Sequence, residues 1–118
     1  MTDFPVTIFH NPGCSKSRAT LELIRVRGIE PEIILYRQTG WNDDRLRGLL
    51  ERMNLSARDI LRTGEAEAAV LGTNASDEVI IAAMIAHPIL VERPIVETPL
   101  GVVVARPAER VFEVLPAL

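Results

Sequence analysis

Apolar and polar positions follow two rhythms along this 118-residue chain. The first is a short β-branched and aromatic run, Val6-Thr7-Ile8-Phe9, stopped by Asn11-Pro12-Gly13, which predicts a strand ended by a turn. From Ser15 the period lengthens. Leu21, Leu23 and Ile24 recur with Ala19 at helical spacing, and Gly28 stands just past Arg25 and Arg27 as a C′ residue, so a helix of three to four turns is expected. Pro31 resets the chain, and Glu32-Ile33-Ile34-Leu35-Tyr36 reads as a second, buried strand. Strand, helix and strand within about 30 residues make a βαβ unit, whose right-handed crossover sets the two strands parallel.

The middle of the chain is helical. Asn42 caps a helix from about Asp43 to Met53 with Leu46, Leu49, Leu50 and Met53 on one face. Ser56-Ala57-Arg58-Asp59 has the form of a capping box and opens a short helix through Ile60-Leu61 to Arg62. Thr63 to Gly72, acidic and alanine-rich, predicts a short helix or two turns. Ser76 caps a further helix, Asp77 to about Ala86, which Pro88 ends. Beyond it the two-residue rhythm returns. Ile89-Leu90-Val91 and Ile95-Val96-Glu97 read as strand on either side of Arg93-Pro94, Pro99-Leu100-Gly101 as a turn, and Val102-Val103-Val104-Ala105 as a strand antiparallel to its predecessor. A closing helix is expected over Ala108 to Leu115. The order β-α-β, helices, β-β-α matches an α/β, thioredoxin-like fold with a mixed four-stranded sheet, a single domain over residues 1–118 carrying a helical insertion at about 42–87.

Composition narrows the function classes. The chain is 47% hydrophobic and 25% charged, the balance of a globular protein with a core that needs no staples. A net charge of -3 gives no overall attraction for nucleic acid, so any anion site is built locally from particular Lys and Arg residues. No run approaches the ~18 apolar residues of a membrane span. The single cysteine excludes an internal disulfide, and no signal-peptide pattern opens the chain; a cytoplasmic, reducing location and a monomer are expected. One Cys and two His far apart offer no ligand pair, so no metal is expected.

That cysteine, Cys14, falls where a strand turns into a helix. Free backbone N–H groups and the positive end of the helix dipole favour thiolate over thiol there, and Lys16 and Arg18 add positive charge. Ser17, three residues on, is placed to point its hydroxyl back at the sulfur. Cys14-Ser15-Lys16-Ser17 is a Cys-x-x-Ser arrangement, which cannot close its own disulfide, so electrons must come from outside thiols. A thiolate and an oxyanion repel each other, and arginine, with a permanent charge and a planar fork for two oxygens, is the residue that brings them together. Lys16 is taken as solvent-exposed, His87 is assigned no chemistry, and Trp41 is taken as packing.

His10-Asn11-Pro12-Gly13-Cys14-Ser15-Lys16-Ser17-Arg18, Leu61-Arg62, His87-Pro88-Ile89-Leu90 with Arg93-Pro94-Ile95-Val96, and the late Arg106-Pro107 together resemble the glutaredoxin-coupled arsenate reductase family. The resemblance runs from about Val6 to Leu115. It implies a thioredoxin-like (glutaredoxin-like) fold and reduction of arsenate to arsenite, with Cys14 as nucleophile, His10 lowering its pKa, and Arg62, Arg93 and Arg106 as catalytic residues holding the oxyanion together with Asn11 and Ser17. It also implies no bound cofactor, glutathione as co-substrate and glutaredoxin as partner, and it places Pro94 as the cis-proline opposite the nucleophile. Two alternatives share the fold: an Spx-type regulatory protein that binds RNA polymerase, whose members carry Cys-x-x-Cys and lack the late Arg-Pro, and a glutathione-dependent thiol reductase acting on another substrate.

Overall fold

The computed structural model describes residues 4–117. The chain partitions into two compact units, one made of residues 4–36 with 93–117 and the other of residues 37–92.

The first unit is built on a four-stranded sheet of order β2-β1-β3-β4, with β1 Thr7–Phe9, β2 Glu32–Ile34, β3 Ile95–Thr98 and β4 Gly101–Val104. β1 and β2 are parallel, joined by helix α1 (Ser15–Val26), whereas β1 with β3 and β3 with β4 are antiparallel. This is the expected mixed, thioredoxin-like arrangement. Alternation along the strands sends Ile8, Val96 and Val103 to one face, where they form a core with Ile24 of α1, Ile29, Ala105, Val111, Val114 and Leu115. Each fully buried aliphatic side chain there contributes about 1.5–3 kcal/mol relative to exposure. Buried Thr98 ties the turn after β3 to the end of the chain, donating its hydroxyl to the carbonyl of Val114 at 2.6 Å and accepting the amide of Leu100 at 3.0 Å.

Three expectations for this unit change. β2 is an edge strand with Glu32 and Ile33 exposed, and Tyr36 leaves it to start a short helix, α2 (Tyr36–Thr39). A short apolar run looks the same at an edge as in a sheet centre, and only the pairing distinguishes them. The closing segment Ala108–Val114 is a 3-10 helix rather than an α-helix, set between Pro107 and Pro116 and packed on α1 and β4. Both Arg93–Pro94 and Arg106–Pro107 are cis peptides; the first is the expected one, and the second has no signal in the sequence.

In the second unit, α3 (Asp43–Met53) begins where the Asn42 side chain accepts the amide of Arg45 at 3.0 Å and ends at Asn54, whose left-handed backbone terminates the helix. The Ser56–Asp59 capping box forms, but it opens a 3-10 turn, Ala57–Ile60, because Leu61 leaves the helix to bridge Val91. α4 (Ala66–Ala69) is short, and α5 (Asp77–Ala86) is capped by the Ser76 hydroxyl accepting the amide of Val79. Arg47 joins α3 to α5 through Asp43 and Glu78. The run Ile89-Leu90-Val91 is not a strand. Pro88 at the first helical position starts a 3-10 turn over Pro88–Leu90, and only Val91 makes a bridge. No helix among the described residues is long and apolar enough to cross a membrane.

Candidate active site

The register of the sheet places the chemistry at one end of it. Phe9 of β1 stands opposite Ile95 of β3, which stands opposite Val104 of β4. His10 and the cysteine loop continue from Phe9, Arg93 precedes Ile95 by two residues, and Arg106 follows Val104 by two.

The loop is held from inside. The Asn11 side-chain oxygen accepts the amide of Gly13 at 3.0 Å, and the Asn11 carbonyl accepts the amide of Cys14 at 3.0 Å. Cys14 is the N-cap of α1, in extended conformation, and its carbonyl accepts the amide of Arg18. Arg18 also returns its guanidinium to the Pro12 carbonyl at 2.7 Å, a structural tie beyond the local charge expected of it. Its one-turn spacing from Cys14 is the signal in the sequence that could have suggested it.

Partial burial pushes the Cys14 thiol up, but the amides of Ser17 and Lys16 and a hydrogen bond and positive charge from Arg93 outweigh that effect, so its pKa lies below the ordinary thiol value. The helix start thus acts on the sulfur as its position implies, and Arg93 is the cation that reaches it. Lys16 contributes through its backbone amide while its side chain is exposed. The Nε and Nη1 groups of Arg93 are buried with no hydrogen-bond partner among the described residues. Two buried guanidinium donors beside a thiolate are incomplete without an acceptor.

Arg106 donates Nη1–H to the Arg93 carbonyl at 3.1 Å. The imidazole of His10 is buried, with Nδ1 2.7 Å from the Ser17 hydroxyl oxygen. Burial foremost, with the charges of Arg25 and Arg18, lowers its pKa below the ordinary imidazole value. Ser17 is fully buried, and its hydroxyl accepts the Asn11 amide at 3.1 Å. Its side chain is therefore turned to His10 and the start of the loop, while its main-chain amide faces the sulfur.

His10, Asn11, Cys14, Ser17, Arg93 and Arg106 thus all belong to the sheet unit. Arg62 belongs to the helical unit. There its amide donates to the Leu90 carbonyl at 2.8 Å and its guanidinium pairs with Glu65 at 3.2 Å.

The model of the ArsC family matches residues 9–114, from the strand that leads into the cysteine loop almost to the end of the closing 3-10 helix. The chain belongs to the ArsC family. Among relatives of this ArsC-family chain, an arsenate reductase of Escherichia coli is 46% identical over 114 residues, covering 94% of this chain and 81% of that protein. The arsenate reductase ArsI1 of Synechocystis is 42% identical over 118 residues, 98% of this chain and 82% of the other. In three dimensions the fold is similar to that of an arsenate reductase from Vibrio cholerae, with a TM-score of 0.90 at 38% identity, covering 97% of this chain and all of that one.

Proposed function

We propose that this ArsC-family chain is an arsenate reductase that forms a covalent arsenic adduct on Cys14 and takes its electrons from glutathione and glutaredoxin. The observation that carries the proposal is the pairing of an activated thiolate with Arg93, whose buried Nε and Nη1 groups have no acceptor among the described residues. A tetrahedral oxyanion is an acceptor for donors of this kind, and fixed guanidinium donors stabilise the charge that develops as the thiolate attacks. The names of the relatives, which match over nearly the whole chain, support arsenic as the central atom of that oxyanion.

In the proposed sequence the Cys14 thiolate bonds to arsenic(V), and a protonated arsenate oxygen departs as water. Glutathione then attacks the Cys14 sulfur. As the S–S bond forms, each sulfur gives up one electron, the S–As bond breaks with its electron pair on arsenic, and arsenite leaves with the thiol proton. A glutaredoxin thiol takes the glutathionyl group and restores Cys14. With one cysteine in the chain, no internal thiol competes for this last step. The arsenate is met in the reducing cytoplasm, where glutathione is plentiful. Arg106 assists the oxyanion beside Arg93, and Arg62 is assigned a third contact on its Leu-Arg motif.

A coupled assay tests the proposal: arsenate, glutathione, glutaredoxin, glutathione reductase and NADPH, followed at the NADPH absorbance. Arsenate-dependent oxidation that disappears in Cys14→Ser is expected. Its absence in the native protein, with glutaredoxin shown active, would overturn the assignment and leave a thiol reductase of another substrate.

A further inference from the structure

We propose that Asn11 is a positioning residue rather than a substrate ligand: it closes the cysteine loop on itself, withholds the loop's amides from the oxyanion, and leaves that anion to side-chain donors. The inference rests on the proposed reductase reading for the identity of the anion, whereas the closure of the loop does not depend on it. A turn that leaves a strand, passes a glycine and opens a helix is where main-chain amides are commonly lined up on an anion. Here those amides are already engaged. The Asn11 side-chain oxygen accepts the amide of Gly13 at 3.0 Å and the Asn11 carbonyl accepts that of Cys14 at 3.0 Å. The amides of Lys16 and Ser17 are turned to the sulfur.

Asn11 is held on three sides. Besides the two bonds it accepts, its own amide donates to the Ser17 hydroxyl at 3.1 Å, so it ties the strand end to the first turn of α1 while its side chain folds back over Gly13. A Cβ at Gly13 would meet that same side-chain oxygen at 3.4 Å. The Pro12 carbonyl between them is held by Arg18 at 2.7 Å. An asparagine oxygen bonded to the amide two residues on makes an Asx turn, a local device that shapes the backbone. The conformation of Asn11 is thus set by the turn and needs no ligand. The donors without an acceptor among the described residues are Nε and Nη1 of Arg93, across the sheet from the loop.

Two measurements on the native protein, Asn11→Ala and Asn11→Ser test this; serine keeps an oxygen that takes the amide two residues on, more weakly than asparagine. The first needs no substrate. Hydrogen exchange at the Gly13 amide is expected to be about fivefold faster in Asn11→Ala, the equivalent of one ordinary hydrogen bond, with part of the protection recovered in Asn11→Ser. Equal exchange in Asn11→Ala and the native protein overturns the proposal. The second uses iodoacetamide, which reports Cys14 alone because it is the only cysteine, and asks how much arsenate, without glutathione, protects it. The half-protecting concentration in Asn11→Ala is expected to match the native value, while kcat in the coupled assay falls about fivefold with KM unchanged. A half-protecting concentration raised about tenfold, the loss of a hydrogen bond to an anion, makes Asn11 a ligand and overturns the proposal, as does an unchanged kcat. If Asn11→Ala does not fold, Asn11→Ser carries both comparisons. Failure of arsenate to protect the native protein sinks the reductase reading, and amide exchange then decides the closure of the loop by itself.

Discussion

Arg106 donates a guanidinium hydrogen to the main-chain carbonyl of Arg93, 3.1 Å away, and so one arginine of the site braces the backbone of the other. Arg93 in turn contacts the sulfur. The two are therefore not interchangeable. Arg93→Ala removes a donor that acts on the thiolate and on an incoming oxyanion, and kcat/KM for arsenate is expected to fall about 100-fold or more, the scale of losing one preorganised donor to developing charge. Arg106→Ala is expected to cost about tenfold, the range of one charge-assisted hydrogen bond. The double variant should lose less than the product of the two, because the residues share a contact. Steady-state kinetics on the three variants checks this, and strict multiplicativity would show that the brace has no function.

Cys14 titrates below the ordinary thiol value, so its reactive form persists to lower pH than that of a free thiol and is lost as the pH falls through that depressed pKa. Arg93→Gln, which removes the charge and retains an amide, is expected to move the alkylation midpoint upward. A midpoint at or above the free-cysteine value in the native protein would rule out activation by the helix start.

His10 makes stability depend on pH in a definite direction. Its folded pKa is lowered, so between the folded and unfolded values the unfolded chain binds more protons than the native one. This contribution is fully present above the unfolded value of about 6.5 and declines as the pH falls through the folded pKa. Urea unfolding of the native protein and of His10→Gln at several pH values from neutral downward measures it. The stability difference between the two should change in that window and be constant above it.

Thr98 is expected to matter more than its size suggests. Thr98→Val keeps the shape but withdraws a hydroxyl that serves the Val114 carbonyl and the Leu100 amide, at a cost of about 1–3 kcal/mol for buried polar groups left without that partner. Chemical denaturation should show the loss as a lower midpoint with an unchanged slope.

The elements that were legible in sequence carry their own boundary chemistry. Asn42, Ser76 and Gly28 mark helix ends by residue type alone, and α1, α3 and α5 lie where those marks put them. The edge position of β2 and the turn at Pro88–Leu90 were not legible, because an apolar triplet has too short a period to show whether its neighbours are strands or the next turn of chain. In the site, the sequence could place Cys14 at a helix start, since local chain direction decides that. It could not choose the partner of the Ser17 hydroxyl. The three-residue spacing to the sulfur is local, whereas the bond to His10 depends on how the strand end and the first helical turn close on each other.

The row Phe9, Ile95, Val104 works as a ruler. Each site residue sits a fixed number of residues beyond it, and slipping β3 or β4 by a single residue would carry an arginine along by roughly 3.3 Å while turning its neighbours to the opposite face. Substitutions in the turn after β3, well away from the thiolate, can thus detune the enzyme by miscounting, and activity becomes a sensitive gauge of whether the sheet has been assembled in step.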